Sequence, residues 1–226
     1  MQDAVTQARK EGMISTGIDL FLAAVPATLV ALDIAKNDML GLSTNKTATY
    51  ITGGIIFALL CVSVFFRLRA LRKISMLSGI RAAALYRNCV IVCICFVALL
   101  LFYPAGCYRE VTIKEMIEET IWNLAVPAAA IYIIVAWLRI NFSLARVSGV
   151  MTFRIYVWLC AFFFALNWLC GAGPFGLATS KPQIGDSDAV LIIASLKEFL
   201  PFAALIITSI VHLLAWSKIE KISAEA

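Results

Sequence analysis

The chain has 226 residues, of which 62% are hydrophobic and 15% are charged, and its formal net charge is +5. Soluble domains average about half apolar and about a quarter charged residues, so this composition argues against an ordinary soluble enzyme or binding domain. The apolar residues fall in runs of about 16 to 20 with almost no charge, which is typical of membrane-spanning helices. In a membrane protein, the position of the basic residues along the chain matters more than the net charge. We therefore expect no nucleic acid partner.

Six spans are predicted along the chain. The first 16 residues are polar, and no small-residue cleavage site follows the first apolar run, so we expect a retained first span rather than a signal peptide. Lipid-exposed loops are forbidden in the hydrocarbon region, so each apolar run should be a helix. No internal repeat and no interdomain linker is visible. The predicted spans are 17–35, 48–66, 88–104, 121–138, 155–173 and 199–216.

The fold class predicted from these spans is all-α: residues 1–226 form one polytopic membrane domain, a bundle of six transmembrane helices. Lysine and arginine set its orientation. If the N-terminus is cytoplasmic, the inside segments 1–16, 67–87, 139–154 and 217–226 carry two, six, three and two basic residues, thirteen in all. The outside segments carry six. The positive-inside rule then predicts both termini in the cytoplasm of a multi-pass protein of the cell inner (plasma) membrane.

Aromatic residues agree with these boundaries. The five tryptophans fall near predicted span ends, as an interfacial aromatic belt requires, and Trp216 closes the sixth span. At the start of the first span, Thr16 and Asp19 have the spacing of a capping box, so Thr16 is expected to cap the helix and Asp19 to face the positive end of its dipole.

A small-residue stripe marks the first span. Ala23, Ala27, Ala31 and Ala35 recur every four residues, which lets another helix approach closely; chance in an alanine-rich helix is the alternative. Asp33 lies three residues before Lys36, and an interfacial pair accounts for it. A buried partner on another span is the alternative for Asp33.

The 67–87 segment has six basic residues and no acid. Leu68, Leu71, Ile74, Leu77 and Ile80 recur at intervals of three, which predicts a basic amphipathic helix on the inner membrane face. An ordinary positive-inside loop is the alternative. The expected partner is anionic lipid of the bilayer at the cytoplasmic face, or another membrane-protein subunit. The candidate docking residues are Arg67, Arg69, Arg72, Lys73 and Arg81.

Two charges precede the last span. Since 199–216 is long enough to cross the membrane, Lys197 and Glu198 are expected at the outer interface, with residues 189–196 forming a turn. The competing interpretation begins the helix at 190, buries the charges, and pairs Lys197 with Asp33. A disulfide between Cys107 and Cys170 would be compatible with an outer location, and two free thiols are the alternative.

The sequence contains few residues or motifs that would support catalysis. His212 is the single histidine, so a bis-histidine haem within one chain is impossible. No Cys-x-x-Cys, nucleophile elbow or phosphate-cradling glycine loop is present. We therefore expect no catalytic, cofactor-binding or metal site and no cofactor.

The leading functional hypothesis is a non-enzymatic inner-membrane protein that acts through helix–helix and cytoplasmic-loop contacts. It would be a subunit of a membrane complex or an immunity- or exclusion-type protein. The alternative is a small-solute transporter or its substrate-binding membrane subunit. An enzyme using the acidic pair Glu118 and Glu119 ranks third.

Overall fold

The structure is a computed structural model that describes the backbone of residues 2–35, 46–102, 113–171 and 188–223, and the side chains of 2–25, 53–95, 97, 124–167 and 200–223. The described residues are all-α, as predicted, and each predicted span falls on a different helix. The helices are α1 (Gln2–Ala35), α2 (Lys46–Ser78), α3 (Ala82–Phe102), α4 (Ile113–Ser148), α5 (Thr152–Gly171) and α6 (Asp188–Ser217).

Three of the helices are long and apolar enough to cross a membrane. Among the described residues, the qualifying segments are Gly53–Ser78, Leu124–Ser148 and Leu200–Ser217. Ala82–Cys95 and Thr152–Asn167 are shorter apolar helical segments. The chain is therefore suited to a membrane by the length and composition of its helices.

The helices form a closed ring in chain order. Each helix packs on the next one along the chain, and α6 packs on α1 to close the ring. This arrangement follows from the short connections at one end, where three residues separate α2 from α3 and three separate α4 from α5. The ring has a centre onto which side chains from several helices converge.

A buried apolar core fills one end of the ring. It combines the start of α1 with the ends of α2, α4 and α6 and the starts of α3 and α5. Its largest fully buried side chains include Trp216, Phe153, Leu71, Ile74 and Leu144. The four segments predicted to share the cytoplasmic side meet here, and all thirteen Lys and Arg whose side chains are described belong to them. We call this end the basic end.

Beyond the basic end, the described parts of the helices expose large apolar side chains on the outside of the ring. An aqueous surface of this extent would be an aggregation hazard, whereas acyl chains cover it without cost. Examples on four different helices are Ile55, Phe57, Leu60, Leu124, Ile131, Ile134, Phe162, Phe164 and Leu205. This contrast between a packed basic end and an apolar exterior is the main evidence for membrane insertion.

The same turn closes two helical hairpins at the basic end. Gly79 and Gly149 end α2 and α4 with φ of 81° and 69°, a left-handed conformation that glycine adopts without steric cost. The preceding serines each donate to the carbonyl four residues earlier, Ser78 to Ile74 at 2.7 Å and Ser148 to Leu144 at 2.6 Å. The prediction of no internal repeat missed this recurring turn, because it spans only a few residues.

Two predictions about helix starts are wrong. Helix α1 begins at Gln2, so Thr16 is not an N-cap; its hydroxyl donates to the Gly12 carbonyl at 3.0 Å inside the helix. The polar first turns are helical because they bury Val5 and Ala8 in the core of the basic end. Helix α6 begins at Asp188 and contains Pro201, so 189–196 is helix rather than a turn.

Two further interpretations also fail. Residues 67–78 continue α2, and Leu71, Ile74 and Ile80 are buried in the protein core, so 67–87 forms no separate amphipathic helix on a lipid surface. Trp216 is fully buried rather than interfacial. Both errors arose because the apolar residues of the basic end pack on each other and not on lipid.

Candidate functional site

Helix α1 presents a polar stripe to α2. Glu11, Ser15, Asp19 and Ala23 are spaced by four residues, which places them on one helix face. Ser15 and Ala23 are buried, and Ser15 Oγ lies 3.0 Å from Ser63 Oγ of α2. The predicted alanine stripe therefore continues toward the N-terminus as charged and hydroxyl side chains.

The N-terminal member of the stripe, Glu11, is a buried carboxylate. Glu11 accepts a hydrogen bond from Lys73 Nζ at 2.6 Å and lies 3.3 Å from Arg69 Nε. Its side chain is only 7% exposed, and its Oε2 has no hydrogen-bond partner among the described residues. A buried charge requires such compensation, so Lys73 and Arg69 fix the angle at which α1 crosses α2.

A second ion pair lies two turns further along α1. Asp19 pairs with Arg67 of α2, and their side chains are 29% and 20% exposed. Ser63 Oγ donates to the other carboxylate oxygen of Asp19 at 2.6 Å, and Arg67 Nη2 also donates to Thr16 Oγ1 at 3.4 Å. Arg67 thus has one side of its guanidinium held by α1.

The other side of Arg67 faces the centre of the ring. A cavity of about 30 Å³ lies there. It is lined by Arg67 and Leu71 of α2, Tyr86 of α3, four residues of α4 including Trp137 and Asn141, and His212 and Trp216 of α6. Four of the six helices therefore contribute to one space, whose lining is mostly apolar and includes a few polar side chains.

Two of the side chains that line the cavity each have a buried atom with no hydrogen-bond partner among the described residues: Nε of Arg67 and Oδ1 of Asn141. The amide nitrogen of Asn141 donates to the Trp137 carbonyl at 2.9 Å, which fixes the orientation of the amide. Since an unpaired buried polar group is costly, these atoms indicate a space made for something polar.

An aromatic cluster holds His212 against the cavity. Tyr156 stacks on the imidazole with ring centroids 4.3 Å apart, and Phe153 contacts it edge-on at 5.9 Å. His212 Nε2 accepts a hydrogen bond from Trp216 Nε1 at 3.1 Å. His212 is therefore held in place as an acceptor, and this nitrogen is already occupied.

The recurring turn explains the position of two tyrosines. Tyr86 and Tyr156 each follow the glycine of the turn by seven residues, and each faces the ring centre: Tyr86 lines the cavity and Tyr156 stacks on His212. Equivalent positions in the two hairpins thus deliver equivalent side chains.

The predicted docking residues divide into paired and exposed groups. Arg67 and Lys73 are largely buried in ion pairs, and Arg69 is both half-exposed and paired with Glu11. Arg72 and Arg81 are exposed on the basic end.

Several other predicted residues lie outside the described side chains, so their predictions stand as made. They are Ala27, Ala31 and Ala35 of the stripe, the pair Asp33 and Lys197, and Cys107 and Cys170 of the candidate disulfide.

Within the described part of the chain, no cluster of three or more His, Cys, Asp or Glu could hold a metal ion. The cavity instead combines one guanidinium and one amide with aromatic and aliphatic side chains. No family model matches the chain, and neither a curated protein nor a solved structure shows significant similarity to it.

Proposed function

We propose that the chain is a six-span protein of the cell inner membrane, with both termini and the 67–87 segment in the cytoplasm. The support is the sequence bias of thirteen basic residues against six, together with the packing of the segments that carry the thirteen at one end of the ring. The positive-inside rule assigns that end to the cytoplasm.

We further propose that the protein is non-enzymatic and acts through contacts of its basic end, as a subunit of a membrane complex or an immunity- or exclusion-type protein. The observation that carries this proposal is the imbalance of exposed charge. Glu11 and Asp19 are consumed in internal ion pairs, whereas Arg72, Arg81 and Arg154 remain exposed. A rigid, packed surface with excess positive charge suits an acidic partner subunit or anionic headgroups.

The test is affinity purification of the tagged full-length protein from mild detergent, with chemical crosslinking before extraction. Recovery of a stoichiometric partner that is lost in Arg72→Gln/Arg81→Gln supports the proposal. Met76→Gln is the matched control, because Met76 is exposed on the same helix end and carries no charge. A monodisperse protein that crosslinks to nothing contradicts it.

Anionic lipid is tested separately, in vesicles of mixed phosphatidylcholine and phosphatidylglycerol. Each basic residue near such a surface contributes about 1 kcal/mol. Spin-labelled phosphatidylglycerol should therefore be enriched around the native protein and less so around Arg72→Gln/Arg81→Gln. Equal enrichment in both would leave the exposed arginines without a lipid role.

A small-solute transporter is the second candidate, and the central cavity favours it. Arg67 lines a space shared by four helices at the basic end of the ring, where a solute path would meet the cytoplasm in the proposed orientation. Solute uptake into proteoliposomes that is abolished by Arg67→Gln would favour the transporter over the interaction protein.

A further inference from the structure

Two side chains that line the central cavity, Arg67 and Asn141, carry unpartnered buried atoms that are chemically complementary. Arg67 Nε–H can only donate a hydrogen bond, and Asn141 Oδ1 can only accept one. Asn141 is 97% buried, since only 3% of its surface is exposed, and its amide cannot turn without breaking the bond to the Trp137 carbonyl. Whatever occupies the cavity must therefore offer an acceptor to α2 and a donor to α4.

This pairing selects the class of ligand. An anion would satisfy Arg67 but would face the lone pairs of Asn141 Oδ1, and Asp19 already neutralises the guanidinium. A cation would satisfy Asn141 but would lie against Arg67. A neutral hydroxyl group satisfies both, because it accepts and donates at the same oxygen.

The volume of the cavity limits which hydroxyl-bearing molecule can fit. The cavity measures about 30 Å³, whereas one water needs roughly 10 to 15 Å³ on this scale and two to four polar partners. Any sugar or polyol is too large. Arg67 Nε and Asn141 Oδ1 supply two such polar partners.

We propose that the cavity binds one or two water molecules that accept a hydrogen bond from Arg67 Nε and donate one to Asn141 Oδ1. The water completes a continuous hydrogen-bonded chain from Ser63 and Asp19 through Arg67 to Asn141 and the Trp137 carbonyl. That chain joins α1, α2 and α4 across the ring. The inference holds whether the protein is an interaction subunit or a transporter.

Hydroxyl-radical footprinting of the full-length protein in nanodiscs tests the proposal, because radicals generated from a bound water oxidise the side chains beside it. Trp216 and Phe153 are both fully buried, and their rings are 5.6 Å apart, but only Trp216 lines the cavity. The oxidation yield of each residue is divided by the oxidation yield of the same residue in the denatured chain. On this scale, Trp216 should be oxidised and Phe153 should be protected. Equal protection of the two residues would overturn the proposal.

Asn141→Leu removes the acceptor and fills the space, so the oxidation of Trp216 should fall to the level of Phe153. Thr208→Val is the matched control: Thr208 is a buried polar residue of α6 that donates to the Ala204 carbonyl and does not line the cavity. It should leave the Trp216 yield unchanged. An undiminished yield in Asn141→Leu would show that the radicals come from elsewhere, and the wild-type comparison decides the matter if that variant fails to fold.

Discussion

Gly12 of α1 lies directly against the indole of Trp216 of α6. A Cβ placed on Gly12 would come within 2.1 Å of Trp216 Cε3 and 2.2 Å of Cδ2. Trp216 cannot move aside, because Phe153 packs on its ring and its Nε1 is bonded to His212. This contact closes the ring between its first and last helices.

Gly12→Ala is therefore expected to destabilise the protein. Overpacking of a rigid core typically costs about 1–3 kcal/mol, which should outweigh the gain of up to about 1 kcal/mol that alanine gives over glycine within a helix. Unfolding in mild detergent titrated with SDS measures the difference.

Gly17→Ala is the matched control for this substitution. Gly17 is on the same helix, and a Cβ there meets nothing within 4 Å. The control should be neutral or stabilising. If Gly12→Ala is as stable as Gly17→Ala, the closure of the ring by α6 is not as described.

The ion pair between Asp19 and Arg67 should contribute measurably to stability. Asp19→Asn leaves the guanidinium partly buried without its counter-charge, for which we expect a loss of about 1–3 kcal/mol. The same detergent unfolding assay applies, and Asp3→Asn, an exposed acid of the same helix, provides the baseline. The double exchange Asp19→Arg with Arg67→Asp should recover part of the loss. Equal stability of Asp19→Asn and Asp3→Asn would deny the pair a structural role.

The two cations at Glu11 should differ in importance. Lys73 is 20% exposed and lies 2.6 Å from the carboxylate, whereas Arg69 is 48% exposed and lies 3.3 Å away. Lys73→Met should therefore cost about 1 kcal/mol or more. Arg69→Met should cost less, about 0.5 kcal/mol, because solvent screens its ion pair and its contact with the Phe65 ring. The reverse order in unfolding measurements would contradict the assignment of Lys73 as the main partner.

The helices were predictable from the sequence because long apolar runs without strand-like alternation can satisfy their backbone hydrogen bonds in a membrane only as helices. The helical extensions beyond these runs, at the basic end, were not predictable. The apolar positions there, such as Val5, Leu71 and Ile74, alternate with charges, so the pattern resembled polar loops and a lipid-binding face. Only the packing of six helix ends against each other shows that these positions form a protein core.

The candidate site was harder to predict than the fold. Asp19 had a local explanation as a capped acid, and nothing in the sequence relates it to Arg67, which is 48 residues away. The four-residue spacing of Glu11, Ser15, Asp19 and Ala23 was the one available signal, and it becomes visible only once the polar N-terminal segment is assigned to helix. Asn141 gave no signal, because a single polar residue in an apolar run has many possible partners.

The central claim is that the basic end of the ring faces the cytoplasm. Topology reporters test it most directly, with green fluorescent protein, which fluoresces only inside, and alkaline phosphatase, which is active only outside. Each is fused after Arg81, within 180–186 and after Ala226. We predict fluorescence without phosphatase activity at Arg81 and Ala226, and the opposite within 180–186. Phosphatase activity at Arg81 or Ala226 would contradict the proposed orientation.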